Sequence, residues 1–527
     1  MSLFLIGFMA AGKTSVGRAI AEATNRVFVD LDDEIAKLGE PVAALVARDE
    51  AEFRRREAGC LIDLIRGGTG DRDYVCATGG GTATFGDNLD KMRQAGCVIA
   101  LGVDVEEARV RSHGGAGRPL FAKAEELHAR RASIYRRAHS FVDTTGRAPS
   151  DVVREVLAVE REWNALPGKH RGATIVALHK RSYPITVGPA IDATLIKSVL
   201  AGVSRIEAIT DRNVAASEPC MRPLRELGIE PIVIEAGEAS KTLATYQRLC
   251  DQLIERGIDR SSALLAVGGG VVGDLTGFVA ATLFRGIAVV QIPTTILAMA
   301  DAAIGGKTAV DTPAGKNLIG AFHQPRLVCC GLDTLTTLPA RERRSAFGEL
   351  WKYALLDGRE LWELVAACAP WAAGPDGAPP PAELREVIQR SIAYKAAIVG
   401  RDEREVTGHR ALLNLGHTVG HAIESASGML HGEAVALGLL AACRISRQLT
   451  ALPAHIEVEL AAALAASGLA TDVDRYLTDD VLGRIRVDKK RVGNRLKFVA
   501  IREVGLCEPV DIAVDDARRF LRPGSTP

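Results

Sequence analysis

A chain that opens L-F-L-I-G-F-M-A-A-G-K-T has few folds open to it. Leu3–Ile6 is an apolar run of strand length, Gly7–Thr14 satisfies G-x-x-x-x-G-K-[ST], and Ser15–Ala23 carries a helical pattern. A strand that feeds a glycine-rich turn and then a helix aims backbone N–H groups and a helix N-terminus at an anion. In that frame Gly7 and Gly12 shape the loop, Lys13 reaches the β- and γ-phosphates of a nucleotide, and Thr14 ligates Mg2+. The expected fold is α/β with a parallel sheet. A second strand, Val27–Val29, ends in D-L-D-D, Asp30–Asp33. Acids at the C-terminal end of a parallel strand face the ligand crevice. Asp30 and Asp32 share one face of an extended chain, so one suits Mg2+ and the other a substrate hydroxyl; Asp32 or Asp33 is also placed to cap the next helix. E-F-R-R-R-E, Glu52–Glu57, supplies cations or simply a solvated helical face. The strand Tyr74–Thr78 runs into Gly79–Gly81, where backbone can approach a ligand closely. After the strand Cys97–Leu101, the arginine-bearing loop Arg111–Leu120, R-S-H-G-G-A-G-R-P-L, suits a lid that closes over phosphates and excludes water.

At 527 residues the chain has room for two or three domains, and 47% hydrophobic content fills their cores. Aromatics at 5% remove most stacking platforms for single-stranded nucleic acid. A net charge of +0, from 65 basic and 65 acidic residues, leaves no footprint for nucleic acid or an anionic membrane. The ten cysteines are scattered without a C-x-x-C pair, which fits a reduced, cytoplasmic protein. The apolar start is too short for a signal peptide or a transmembrane helix.

Taken together, the phosphate loop, F-V-D-L-D, F-R-R-R-E, G-G-G, the R-P-L lid and R-A-S-I-Y give residues 1–165 a resemblance to shikimate kinase along their whole length. The resemblance implies ATP with Mg2+ as cofactor. It implies that Asp32, Arg54, Gly80 and Arg131 bind shikimate, with Arg54 and Arg131 on its carboxylate. Asp30 acts on the Mg2+ side, directly or through water, and Arg118 is the lid cation on the transferring phosphoryl group. Arg147 resembles the arginine beside adenine. Lys13, Asp32 and Arg118 are the implied catalytic residues. One departure is Ala10, where the family usually has glycine. Pro167 and Gly168 then break a terminal helix, and 166–172 reads as a linker.

From residue 173 onward, apolar strands alternate with helical segments: Ile175–Leu178, Ile206–Thr210, Ile232–Glu235, Leu264–Val267, Val289–Pro293 and Leu327–Cys330. Leu264–Val267 runs into G-G-G-V-V-G-D, where Gly268, Gly270 and Gly273 satisfy G-x-G-x-x-G with Gly269 between them. That loop suits a pyrophosphate, although it follows a late strand and lacks the acid about 20 residues on. Asp211 closes an earlier strand and is placed for a ribose hydroxyl. Asp301, Lys307, Lys316 and Asn317 lie among small apolar residues, and buried charges need partners or a ligand. Beyond Gly331 the pattern turns helical. Glu349 and Lys352 are three apart on one helical face, and Arg410 and Asn414 lead into a histidine stretch. There His417 and His421 share a helical face and His431 follows a break at Gly428, which points to a metal or to solvated histidines.

Residues Gly268–Glu433 resemble 3-dehydroquinate synthase, and the likeness extends from about Tyr183 to D-K-K, Asp488–Lys490. It implies a Rossmann-like α/β half at 173–335 joined to an all-helical half at 336–527. It implies NAD+ and one divalent metal, Zn2+ or Co2+. Glu349, His417 and His431 carry over as metal ligands, whereas helical spacing alone would choose His417 with His421. Arg285, Asp301, Lys307, Asn317, Lys352, Lys395, Arg410, Asn414 and His421 carry over as substrate or catalytic residues. Gly237, Glu238, Lys241, Gly269, Gly270, Gly273, Asp274, Thr294, Thr295, Lys307 and Lys316 carry over to NAD+. Either Lys489 or Lys490 reaches the substrate. The implied reaction takes DAHP, a seven-carbon phosphate sugar acid. Its C5 hydroxyl is oxidised, phosphate is eliminated, the hydride returns, and ring opening with aldol closure yields 3-dehydroquinate. The rival is a metal- and NAD-dependent dehydrogenase of the glycerol dehydrogenase type, which has no use for Lys307, Asn317, Lys352 and Arg410 as a phosphate-binding set. The expected partners are small molecules and a second copy of the chain, paired through the synthase part.

Overall fold

The computed structural model describes residues 2–39, 41–67, 69–70, 72–112, 123–485, 491–492 and 495–522. The chain divides into two compact units, Met1–Pro184 with Ala396–Arg401, and Ile185–Lys395 with Asp402–Pro527.

In the first unit five parallel strands lie in the order Val27–Asp30, Tyr74–Ala77, Ser2–Gly7, Gly96–Gly102, Ser140–Asp143. Leu3, Phe4, Leu5 and Ile6 are each 0% exposed, the unbroken apolar run of a parallel strand covered on both faces. The second and third strands in sequence lie on one side of Ser2–Gly7 and the fourth and fifth on the other. Such a reversal opens a crevice at the carboxyl ends of the strands. Gly7, Asp30, Ala77, Gly102 and Asp143 stand at those ends. The helix Lys13–Thr24 packs tightly on the sheet, because a Cβ on Gly17 would come within 2.9 Å of the Phe28 ring. The helix Pro149–Ala165 starts with proline at its first turn, where no N–H is needed. After it, residues 166–172 are held against the helix: Trp163 donates its indole N–H to Arg171 O at 2.7 Å, and Leu166 is buried. The strand Thr174–Val176 follows, with Ile175 N–H donating to His139 O at 2.7 Å.

In the second unit the strands Tyr183–Gly188, Leu327–Gly331, Ala288–Pro293, Ala263–Gly268, Ile206–Asp211 and Ile232–Ile234 run parallel in that order. The helix Gly270–Thr282 lays Val272, Leu275 and Val279 on this sheet, in one buried cluster with Leu264 and Val289. Each strand expected from Ile206 onward is present. Tyr183–Gly188 was not expected, since its proline argues against a sheet interior. Nor was the antiparallel hairpin Lys307–Thr312 with Gly315–Phe322. The hairpin corrects one reading of the sequence: Lys307, Lys316 and Asn317 are exposed on it rather than embedded.

The second half is helical as expected, with Ala340–Asp357, Arg359–Ala373, Glu383–Arg401, His417–Ser427, His431–Leu449 and Ala454–Ala466. All-helical is too narrow, because an antiparallel sheet of Arg491–Val492, Arg495–Glu503 and Leu506–Ala513 follows. Its middle strand opens exposed, buried, exposed, buried over Arg495–Phe498, the period-2 signal of a strand with one wet face. Two glycine contacts set the helix spacing. A Cβ on Gly348 would lie 2.0 Å from Gly432 O, and one on Gly432 would lie 1.8 Å from Ser345 O. A Cβ on Gly438 would lie 2.0 Å from Gly416 O. Ala340–Asp357 and the start of His417–Ser427 are thereby drawn onto His431–Leu449 at backbone distance. No helix among the described residues is long and apolar enough to cross a membrane.

Candidate active sites

At the crevice of the first unit, Lys13 is buried and donates to Gly7 O at 2.9 Å and Phe8 O at 2.8 Å. Its ammonium therefore lies inside the loop whose N–H groups would face phosphate. Thr14 Oγ1 donates to Asp30 Oδ2 at 2.8 Å, which joins the two expected Mg2+ residues. Asp30 Oδ1 accepts from Asp32 N–H at 3.1 Å, so Asp30, and neither Asp32 nor Asp33, caps the helix Leu31–Ala36. Asp32 is pushed up to about 6, first by desolvation and then by the Asp30 and Glu57 carboxylates, against the pull of Lys13 and Arg54. Arg54 donates to the fully buried Glu57 at 2.6 Å, and Thr82 Oγ1 holds the other Glu57 oxygen at 2.5 Å. The triple glycine fits between these groups. A Cβ would lie 2.4 Å from Glu57 Oε1 at Gly79 and 2.3 Å from Arg54 Nη2 at Gly81. At Gly80 it would lie 3.6 Å from Arg131 Nη1. Tyr135 donates to Gly80 O at 2.5 Å. Arg147 pairs with Glu155 at 2.6 Å and donates to Asp143 O at 2.8 Å. Arg118 and the rest of the lid sequence from His113 onward lie outside the described residues.

In the second unit, Glu349 is 1% exposed, and its Oε1 lies 3.2 Å from both His417 Nε2 and His431 Nε2. Its Oε2 pairs with Lys352. Each imidazole has its outer nitrogen engaged: His417 Nδ1 lies 3.1 Å from Leu415 O, and His431 Nδ1 lies 2.9 Å from Glu424 Oε2. That leaves Nε2 as the ring nitrogen directed at Glu349, the atom each imidazole would offer to a metal. His421 joins the cluster, with ligand atoms of all three histidines within 4.8 Å of one another, yet it is exposed. Burial works against a proton on His431, but the Glu349 and Glu424 carboxylates outweigh it and raise the group to about 10. Burial lowers His417. Glu349 stays well below the carboxylate range despite burial, because Lys352 and His417 face it. Two imidazole nitrogens and a carboxylate oxygen around one point, with cations crowding in, form a donor set that fits Zn2+ or Co2+.

Beside this set, Asp301 lies 3.1 Å from Lys395 and 3.7 Å from Lys352, and Lys395 also donates to Asp301 O at 2.8 Å. Desolvation opposes the Asp301 charge, but Lys395 and Lys352 hold its carboxyl below the usual range. Burial lowers Lys395, while Glu349 and Asp301 keep Lys352 raised against burial. Arg410 is buried and donates to Gly305 O at 3.3 Å. Lys307 pairs with Glu405. Asn414 and Arg285 make no polar contact with this cluster among the described residues, and Arg285 is exposed on the turn Leu283–Arg285. Lys489 and Lys490 lie outside the described residues.

Toward the parallel sheet, the helix Gly270–Thr282 starts at the end of Ala263–Gly268, so its N-terminal N–H groups face the crevice. Gly269 lies against Thr295, where a Cβ would meet Cγ2 at 3.2 Å, and Thr294 N–H donates to Gly268 O at 3.0 Å. Gly273 has Gln291 Oε1 at 2.9 Å from its Cβ position. Lys241 joins Asp274 at 2.5 Å and Asn317 Oδ1 at 2.6 Å. Gly237 turns the chain at φ 95, and Glu238 opens the next short helix. Lys316 donates to Glu424 Oε1 at 2.9 Å.

Family models match this chain twice over: 3-dehydroquinate synthase, N-terminal at 231–345 and C-terminal at 346–491, and shikimate kinase at 9–160. The 3-dehydroquinate synthase of Acidithiobacillus ferrooxidans is 43% identical over 341 residues, spanning 63% of this chain and 92% of that protein. The 3-dehydroquinate synthase of Paracoccus denitrificans is 43% identical over 357 residues, spanning 65% and 95%. The chain belongs to the 3-dehydroquinate synthase family, with a shikimate kinase ahead of it. It is a bifunctional enzyme of the shikimate pathway. Its synthase fold is shared with 2-deoxy-scyllo-inosose synthase, solved with carbaglucose-6-phosphate, NAD+ and Co2+, at TM-score 0.58 and 24% identity over 67% of this chain and 99% of that one. The 2-epi-5-epi-valiolone synthase of Streptomyces hygroscopicus, solved with NAD+ and Zn2+, has the fold at TM-score 0.53 and 24% identity, over 66% and 97%.

Four side chains at these sites were given no individual role from the sequence. In the kinase, Arg111 donates to Thr144 O at 2.6 Å and reaches Ala10 O of the phosphate loop at 3.5 Å, and Glu57 holds Arg54. In the synthase, Tyr353 donates to Asp301 Oδ1 at 2.5 Å, and Glu424 holds His431. Glu424 was legible in principle, since 417, 421 and 424 follow the i, i+4, i+7 stripe of one helical face.

Proposed function

We propose that the first unit phosphorylates shikimate with ATP and Mg2+, and that the second converts DAHP to 3-dehydroquinate and phosphate with NAD+ and Zn2+ or Co2+. For the kinase, Lys13 and the loop N–H groups hold the transferring phosphates, and Thr14 and Asp30 serve Mg2+. Arg54 and Arg131 orient the shikimate carboxylate, and Asp32, raised toward neutrality, takes the proton of the attacking hydroxyl. For the synthase, Glu349, His417 and His431 hold the metal. The metal and NAD+, when bound, supply Lewis-acid polarisation of the C5 oxygen and a reversible hydride acceptor. Lys352, Lys395 and Arg410 offer fixed cations to the substrate phosphate and carboxylate, and Asp301 keeps the two lysines aimed. His421, exposed on the face of the metal cluster, donates to the substrate.

The observation that carries the synthase reading is the buried Glu349 carboxylate between two Nε2 atoms, next to a lysine pair. A dehydrogenase needs the first feature but not the second. The test is the fate of the hydride. NAD+ should be required and not consumed, because product and substrate have the same overall oxidation level. NADH accumulating in proportion to turnover would favour the dehydrogenase instead. We further propose a cytoplasmic homodimer formed through the synthase part, for which light scattering should give twice the chain mass. By function we propose a division into 1–165, a join at 166–172, and 173–527 with halves at 173–335 and 336–527, the join and the strand after it packing on the first unit.

A further inference from the structure

We propose that Glu424 is a positioning residue that couples metal binding to NAD+ binding in the synthase, an inference that rests on the ligand and cofactor assignments above. Its two carboxylate oxygens serve different masters. Oε2 lies 2.9 Å from His431 Nδ1, and Oε1 accepts from Lys316 Nζ at 2.9 Å. The Glu424 side chain is 17% exposed whereas Lys316 is 58% exposed, so a fixed carboxylate pins a surface lysine. On one side, the bond from Nδ1–H orients the His431 ring so that Nε2 lies on the metal side, 3.2 Å from Glu349 Oε1. On the other side, Lys316 sits on the hairpin strand Gly315–Phe322, next to Asn317, whose Oδ1 is held by Lys241. Lys241 in turn pairs with Asp274 at the glycine loop. One carboxylate thus touches a proposed metal ligand and a proposed NAD+ residue.

Coupling follows from that shared anchor. A metal on Nε2 fixes the His431 ring, and with it the Nδ1 contact that holds Glu424 Oε2 at 2.9 Å. A firmly held Glu424 keeps Lys316 in place before NAD+ arrives, so less order is lost when it binds. Linkage makes the effect reciprocal: NAD+ must tighten the metal by the same factor. Half of the device is a partly exposed ion pair, which is weak by itself, so the factor expected is about 5, the low end of typical coupling.

The test measures Zn2+ dissociation constants by chelator competition, with and without saturating NAD+, on the full chain. In the wild type NAD+ should tighten Zn2+ about 5-fold, and Zn2+ should tighten NAD+ equally. Glu424→Gln can still accept from His431 Nδ1–H but cannot charge-pair with Lys316. It should keep Zn2+ affinity within about 10-fold of wild type and lose the coupling. Lys316→Met should lose the coupling with Zn2+ affinity alone unchanged. Glu424→Ala should lose both the coupling and about 10- to 100-fold of Zn2+ affinity. A glutamate that merely supports the fold would lower stability and leave the ratio of constants as it is. Coupling that persists in Glu424→Gln, or is absent from the wild type while His431→Ala strips Zn2+, overturns the proposal alone. Zn2+ retained in His431→Ala overturns the ligand assignment and the proposal with it.

Discussion

Tyr353 ties together two groups proposed to be catalytic, without touching a motif. Its phenol donates to Asp301 Oδ1 at 2.5 Å, and Lys352 Nζ lies 4.5 Å from its ring centroid. Tyr353→Phe keeps the ring and removes the donor to a charged acceptor, a loss of about 1.5–3 kcal/mol, on the order of 10- to 100-fold in synthase turnover. Metal content should stay full, and an unchanged kcat would refute the role. Among the proposed metal-site residues, Glu349→Ala and His431→Ala should strip the metal. His421→Ala should keep it and lose turnover, so an empty His421→Ala beside a filled His431→Ala reverses the assignment. In the kinase, Asp32 at about 6 sets the acid limb. kcat/KM for shikimate should rise with pH through about 6 as the carboxylate ionises. Glu57→Gln, which removes one negative neighbour, should move that limb to lower pH. Ala10 adopts φ 60, the left-handed region. There a Cβ costs about 1–2 kcal/mol, while glycine gives back about 0.4–1 through the unfolded chain. Ala10→Gly should therefore stabilise the kinase by about 0.5–1 kcal/mol in urea unfolding, and destabilisation would contradict the strain.

At the scale of elements, what was legible in the sequence depended on contiguity. The phosphate loop needs one run of residues, so strand, turn and helix could be read off Leu3–Ala23 directly. Most strands of the two parallel sheets announced themselves as buried apolar runs, but Ser140–Asp143 and the proline-bearing Tyr183–Gly188 did not. The metal set could not be found by spacing, because Glu349 and His431 are 82 residues apart, and helical periodicity favoured His421 instead. Only the family likeness chose Glu349. The hairpin Lys307–Phe322 stayed hidden because its second strand is largely exposed and glycine-flanked, with no core face to imprint an alternation. Gly348 and Gly432 carry no local signal, since their partners lie in other elements. They prove to be the contact that seats Glu349 against His431. Gly348→Ala puts a Cβ 2.0 Å from a carbonyl oxygen. It should force the helices apart, at about 1–3 kcal/mol, and lower metal affinity together with the melting temperature. Normal metal content in a folded Gly348→Ala would show that the site tolerates a wider spacing.

For the whole molecule, the described groups proposed for each chemistry fall within one compact unit, with Arg118, Lys489 and Lys490 outside the described residues. The first unit extends past the expected join, since Ile175 N–H bonds His139 O and Ser140 Oγ donates to Ile175 O at 2.8 Å. A kinase piece ending after Pro184 should therefore melt higher than one ending at Pro167, and equal melting would remove the argument for the longer boundary. The two units use different cofactors, different cations and no shared residue, so the central claim is that two independent sites occupy one chain. Lys13→Ala and Glu349→Ala, made in the full chain, test it most directly when each purified variant is assayed with shikimate plus ATP and separately with DAHP plus NAD+. The expected result is that Lys13→Ala forms no shikimate 3-phosphate while making dehydroquinate at the wild-type rate, and that Glu349→Ala does the reverse. Loss of both activities in either variant would contradict it.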